Sequence, residues 1–214
     1  MEEMESRNKF NISLLGDTTV GKTSIANVKY GKSFSAQTLL TVGIEFTTET
    51  VLLNNKNITF KVFDTAGQER YKSISKSTIH YSSGFMLIFA VNKRETFVVI
   101  ESWLDIIKDE IDTNSIVIYL VGNKVDINKR EVTNEEAVNF ANKNNMKYFE
   151  TSAKTGYGIE EVFTQMYKDI YYKYLADLKR YKSKSKDVAE KKQSVQLKKK
   201  NHKETKNTNK SGCC

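Results

Sequence analysis

The chain contains no proline and only two cysteines, and those two are its last residues, Cys213 and Cys214. A disulfide inside the folded body is therefore excluded, as is a metal site built on several thiolates. Without proline, the turns must come from Gly, Asn, Asp and Ser. No run of 18 consecutive apolar residues occurs, so no apolar spanning helix is expected. The first residues, Met1-Glu2-Glu3-Met4-Glu5, are acidic and lack an apolar centre. They do not read as a secretory signal, and the chain is expected to stay on the cytosolic side. Only two histidines are present, His80 and His202, and neither stands in a catalytic pattern.

What is present divides unevenly. The 214 residues allow one α/β domain with some chain to spare. The formal net charge is +8. Residues 182–214 hold eleven lysines and three acids, which accounts for all of it, so residues 1–181 sum to zero. The expectation is an N-terminal extension (1–8), a neutral domain (9–181) and a lysine-rich tail (182–214). Aromatics vanish beyond Tyr181, and disorder is expected there.

Hydrophobic patterning predicts strands at Lys9–Leu15, Gly43–Leu53, Ile58–Phe63, Phe85–Val91, Ile116–Val121 and Lys147–Thr151. Asn54-Asn55 is placed to turn a hairpin, making the third strand antiparallel to the second. The continuous apolar runs at 85–91 and 116–121 suit parallel strands covered on both faces. Helices are predicted at Ser24–Tyr30, at Thr96–Asp109 with Phe97, Ile100, Leu104 and Ile107 on one face, from the capping box Thr133-Asn134-Glu135-Glu136 to Lys143, and at Ile159–Tyr181. The stripe Phe163, Tyr167, Tyr171 and Tyr174 has helical spacing and reads as core packing. Together these elements predict a six-stranded, mostly parallel sheet with one antiparallel strand and helices on both faces. In such folds ligands bind beyond the carboxyl ends of the strands.

Gly16-Asp17-Thr18-Thr19-Val20-Gly21-Lys22-Thr23 fits the phosphate-loop pattern G-x-x-x-x-G-K-[ST] at every fixed position. It lies between a predicted strand and a predicted helix, the context the motif requires. Its backbone N–H groups can form an anion nest at a helix N-terminus. Lys22 would reach the β- and γ-phosphates, and Thr23 would place a hydroxyl on Mg²⁺. Ser24 follows in the same turn.

Asp64-Thr65-Ala66-Gly67-Gln68 follows the third strand. An Asp there can hold Mg²⁺ through water, Gly67 can bring an N–H to the γ-phosphate, and Gln68 can orient an attacking water. Asn123-Lys124-Val125-Asp126 ends a later strand. A carboxylate accepts two hydrogen bonds from N1–H and the exocyclic amine of guanine, whereas adenine offers an acceptor at N1, so Asp126 selects guanine. Asn123 would brace neighbouring loops, and the Lys124 stem would lie over the base. Thr151-Ser152-Ala153-Lys154 follows the last strand. Ala153 N–H would donate to guanine O6, and Ser152 would support Asp126.

These motifs, with Thr41-Val42-Gly43-Ile44-Glu45-Phe46 and Phe63 to Tyr71, resemble the Ras-like small GTPases, the Rab branch most closely. The resemblance implies a phosphate-loop GTPase fold and a switch that binds GTP or GDP with Mg²⁺ and hydrolyses GTP slowly in vesicle trafficking. It implies that Thr41 closes on Mg²⁺ and the γ-phosphate and that Phe34 packs on the guanine edge. It places a partner-reading surface at Thr38, Val42, Gly43, Ile44, Glu45, Phe46, Phe63, Arg70 and Tyr71. Implied partners are an exchange factor, a GTPase-activating protein supplying an arginine in trans, a GDP-dissociation inhibitor, an escort protein and GTP-dependent effectors. The branch usually carries Trp where this chain has Phe63 and an aromatic where it has Thr78, so the aromatic cluster keeps two members, Phe46 and Phe63. Thr18 and Thr19 occupy loop positions that are often Gly or Ser. The β-branched Thr18 is expected to slow hydrolysis or hinder the incoming arginine. These two residues leave open a binding module with negligible hydrolysis.

The tail allows two partners. Lysines can neutralise nucleic-acid phosphates, but the aromatics and arginines that favour base stacking are absent. The alternative is an anionic membrane, at about 1 kcal/mol per basic residue. The ending Ser211-Gly212-Cys213-Cys214 is not a C-a-a-X box. It resembles the Rab double geranylgeranylation signal, and two chains plus a basic stretch meet the two-signal requirement for stable anchoring. Membrane is favoured over nucleic acid, on the cytosolic face of an intracellular membrane and in exchange with cytosol.

Overall fold

The computed structural model describes residues 8–35, 44–65 and 78–207, with side chains for 8–35, 45–64 and 78–183. Strands β1 (Lys9–Leu15), β2 (Ile44–Leu53), β3 (Lys56–Thr65), β4 (Gly84–Ala90), β5 (Val117–Asn123) and β6 (Lys147–Thr151) form one sheet in the order β2-β3-β1-β4-β5-β6. Every pairing is parallel except β2 with β3. The turn between them carries Asn54 at φ 50° and Asn55 at φ 59°. Two left-handed residues in succession match the twist of a two-residue hairpin, and Asn tolerates that region.

Helices α1 (Lys22–Lys29), α2 (Arg94–Glu110), α3 (Asn134–Lys143) and α4 (Ile159–Asn207) flank the sheet. One face of the sheet packs α1 and α4, and there Phe163, Tyr167 and Tyr171 are buried with Phe60, Ile12 and Met86. On the other face Phe97, Ile100, Trp103, Leu104 and Ile107 of α2 meet Phe85, Leu87 and Phe89. All seven residues of β4 are buried, as a parallel strand covered on both sides must be. The aromatic stripe of α4 is core, as its spacing indicates: Phe60 and Tyr167 stack with centroids 4.4 Å apart. Thr133 caps α3, its hydroxyl accepting from Glu136 N at 3.1 Å.

Three expectations change. Helix α1 begins at Lys22 rather than Ser24, so the phosphate-loop lysine opens the helix. Strand β3 runs past Phe63 to Thr65, which places Asp64 inside the sheet opposite Glu45 rather than after it. The backbone of α4 stays helical to Asn207, where composition alone suggests disorder from residue 182. No glycine or proline stands between Gly158 and Gly212, and Lys, Glu, Gln, Ala and Leu are good helix formers. Local propensity thus carries the helix beyond the last residues packed on the core, Tyr174 and Leu175.

Candidate functional site

The carboxyl ends of β1, β3, β5 and β6 lie along one edge of the sheet, and polar loops follow β1, β5 and β6. The loop after β1 is shaped by two glycines. Gly16 has φ 144°, and a Cβ there would lie 2.1 Å from the Ile88 carbonyl oxygen. Gly21 caps α1 at φ 101°, and a Cβ there would lie 2.3 Å from Asn123 Nδ2. No other residue fits either position.

Lys22 is 5% exposed. Its Nζ donates to the carbonyls of Gly16 at 3.1 Å and Asp17 at 2.8 Å, so the ammonium sits inside the curl of the loop. Burial lowers its pKa to about 8, while the charges of Asp64 and Asp17 oppose the shift. A polyphosphate bound against Lys22 restores the charged form. Nucleotide binding at a pH of about 8.5 is therefore expected to take up a fraction of a proton. Calorimetry in two buffers of different ionisation enthalpy measures it, and Lys22→Arg abolishes it. Equal uptake by that variant refutes the assignment.

Asp64 is buried, and its Oδ1 has no hydrogen-bond partner among the described residues. Burial raises its pKa; the Thr23 hydroxyl bonded to it and the Lys22 charge act in the opposite direction, and Glu45 adds to the rise. An orphaned buried carboxylate oxygen beside a hydroxyl is costly unless a cation or its water shell completes it. The pair fits Mg²⁺, a hard cation that takes few protein oxygens and keeps water and phosphate ligands. Among the described residues no three His, Cys, Asp or Glu side chains cluster as a metal site.

Asn123, 1% exposed, links three segments. Its Nδ2 donates to Val20 O at 2.8 Å. Its Oδ1 accepts from Thr151 Oγ1 and Ala153 N, each at 3.2 Å. Lys124 Nζ donates to Thr19 O at 2.7 Å. Burial and the nearby Lys93 charge lower the Lys124 pKa, against Asp126. Ser152 Oγ donates to Asp126 Oδ1 at 2.6 Å and also accepts from Thr155 N at 3.2 Å. The loops after β1, β5 and β6 are thereby one hydrogen-bonded body, with the half-buried carboxylate of Asp126 oriented at its rim.

Other predicted residues are placed less tightly. Ser24 is in the first turn of α1, Lys154 is exposed beside the buried Ala153, and Phe34 is exposed before residue 36. Phe46 and Phe63 meet across β2 and β3 with centroids 6.1 Å apart, while Thr78 is buried. Thr38, Thr41, Val42, Gly43, Gly67, Gln68, Arg70, Tyr71, Cys213 and Cys214 lie outside the described residues, and Ile44 is described by its backbone alone.

The motif does not disclose two features. Thr19 holds φ 62°. A β-branched residue in the left-handed region costs about 1–2 kcal/mol, and the bond from Lys124 to its carbonyl holds it there; the departure from Gly at this position was the available signal. Asp17 Oδ1 accepts from Thr18 N at 2.6 Å, which ties down the turn in which Thr18 sits.

A family model described as the Ras family matches residues 11–172. Ras-related protein Rab11A of Lotus japonicus is 38% identical over 163 residues, 76% of this chain and 72% of that protein. Ras-related protein RABA4d of Arabidopsis thaliana is 36% identical over 163 residues, 76% and 73% of the two chains. Ras-related protein Rab-25 of Oryctolagus cuniculus is 38% identical over 165 residues, 77% of each.

Proposed function

The chain belongs to the Ras family as a small GTPase of the Rab type, and we propose that its guanine nucleotide is held by Gly16–Ser24, Phe34, Asn123, Lys124, Asp126 and Ser152–Lys154. It binds GTP and GDP, hydrolyses GTP and works as a switch in vesicle trafficking. The observation that carries the site assignment is Asn123, whose bonds to Val20 and Ala153 make the phosphate loop and the base loop a single rigid piece.

In this reading Lys22 and the backbone N–H groups at the start of α1 bind the β- and γ-phosphates. Asp126 accepts from N1–H and the amine of guanine, Ala153 N–H donates to O6, and the Lys124 stem covers the base. Thr23 and Thr41 would offer hydroxyls to Mg²⁺, and Asp64 would help hold it through water. Mg²⁺ supplies neutralisation of charge on the phosphates. Gln68 orients the attacking water, while Thr41 and Gly67 hold their loops only when a γ-phosphate is present. Partners that read Thr38, Val42, Gly43, Ile44, Glu45, Phe46, Phe63, Arg70 and Tyr71 then bind one state. Single-turnover hydrolysis tests these roles: Gln68→Leu should slow it by about tenfold or more, and Thr18→Gly should speed it. Unchanged rates in both variants would reject them.

Exchange factors, activating proteins, a GDP-dissociation inhibitor and effectors act on Rab proteins as a class, at intracellular membranes. Among the described residues no helix is long and apolar enough to cross a membrane. The proposed attachment is geranylgeranyl groups on Cys213 and Cys214, delivered with an escort protein, and the lysines of residues 182–210 against an anionic cytosolic surface. Changing both cysteines to Ser should move the protein from the membrane pellet to the supernatant on fractionation. An unchanged distribution would contradict the lipid assignment.

A further inference from the structure

Away from the nucleotide, a lysine lies over two aromatic rings on the outer face of the β2–β3 hairpin. Phe46 stands opposite Phe63, and Thr48 opposite Lys61. Alternate residues of a strand share a face, so Phe46, Thr48, Lys61 and Phe63 lie together, while Phe60 and Val62 face the core. The Lys61 ammonium is 3.5 Å from the Phe46 ring centroid and 4.8 Å from that of Phe63. Phe46 is nonetheless 58% exposed.

Among the described residues, the charged side chains on this face have one sign. The neighbouring strand places Lys9 beside Thr59 and Asn11 beside Lys61. Glu45 and Glu49 alternate onto the other face, and Lys61 forms no ion pair among the described residues. A cation over an aromatic face is attracted by the ring, yet its N–H groups on the side away from the rings still seek acceptors. The patch therefore offers an apolar surface with a positive charge at its centre that no acid among the described residues matches.

We infer that Lys61 is a specificity determinant of the effector surface, and that Phe46, Phe63 and Lys61 together select a partner segment presenting an Asp or Glu next to an aromatic or large aliphatic side chain. The apolar side chain covers Phe46 and Phe63, and the carboxylate meets the ammonium above them. A partner with a basic residue at that place is rejected by like charge. The inference rests on the reading that partners of the GTP-bound state bind through Phe46 and Phe63.

The test uses the full chain loaded with a non-hydrolysable GTP analogue and a phage-displayed library of random peptides. The expected outcome is enrichment of peptides with an acid adjacent to an apolar anchor. Lys61→Glu should weaken their binding by about tenfold or more, reversal of the peptide acid to Lys should restore it, and Lys61→Gln should flatten its salt dependence. The charge-swap rescue separates lost recognition from a disturbed hairpin. Peptides that require Phe46 but ignore Lys61→Glu overturn the inference while leaving the effector reading intact. Peptides that ignore both Phe46→Ala and the bound nucleotide overturn that reading. A self-association abolished by Phe46→Ala, with no peptide enriched, makes the occupant a second copy and overturns the inference.

Discussion

Asp126→Asn is expected to lower affinity for GDP and GTP by about a hundred- to a thousandfold and to make the protein prefer xanthine nucleotides. In the proposed site the carboxylate would accept two charge-assisted hydrogen bonds from guanine, each worth about 1.5–3 kcal/mol. An amide accepts one neutral bond and sets a donor against the remaining guanine donor. A net loss of about 3–4 kcal/mol corresponds to that range at 1.4 kcal/mol per tenfold. Xanthine replaces the exocyclic amine by a carbonyl, so the same amide pairs with it on both sides. The Ser152 hydroxyl, 2.6 Å from Asp126 Oδ1, can still donate to the amide oxygen and keep the side chain oriented. Displacement of a fluorescent guanine nucleotide by GDP and by XDP measures the change. A variant that keeps its preference for guanine would remove Asp126 from the base site.

Asn123→Ala is expected to destabilise the fold and release nucleotide together. Asn123 satisfies a carbonyl of the phosphate loop, a hydroxyl at the end of β6 and an N–H of the loop after it, all buried. Truncation leaves those groups without partners in a site too tight for good solvation. The cost is about 2–4 kcal/mol, or about 5–15 °C in melting temperature for a domain of this size. Thr151→Val removes a single bond to the same oxygen and should cost about 1 kcal/mol. Thermal melts with and without GDP distinguish the two effects: the Asn123 variant should lose both intrinsic stability and most of the GDP-dependent gain. Equal melting curves for the two variants would show that Asn123 does not join the loops energetically.

The strands and the nucleotide motifs are legible because their signals are local. Seven apolar residues in β4, a pair of Asn at a hairpin and a glycine-framed loop before a lysine each impose their structure over a short stretch. The chemistry of Asp126 is readable from donor and acceptor patterns alone. Other features depend on contacts between distant segments. Lys124 and Thr19 are 105 residues apart, and Asn123 and Val20 are 103 apart. The Asn123 motif reads as bracing its neighbours, but no pattern in either loop announces that Lys124 holds the phosphate loop through the Thr19 carbonyl. The burial that lowers the Lys22 pKa to about 8 likewise needs the sheet, since an isolated phosphate loop would leave that lysine in water. Lys61 reads as an ordinary strand lysine until β2 brings Phe46 beneath it. The helical backbone to Asn207 is not legible in overall composition, because helix propensity acts residue by residue.

The residues alone establish an α/β domain, a guanine nucleotide, a hydrolysable phosphate and a basic, doubly cysteine-ended tail, because each follows from side-chain chemistry at short spacing. The folded chain settles how these parts act on one another. Asn123 and Lys124 lock the phosphate loop, Asp64 is buried with one oxygen unmatched among the described residues, and a lysine lies over the exposed Phe46 and the half-buried Phe63. Such properties arise from desolvation and long-range approach, which exist only once the strands have been brought side by side.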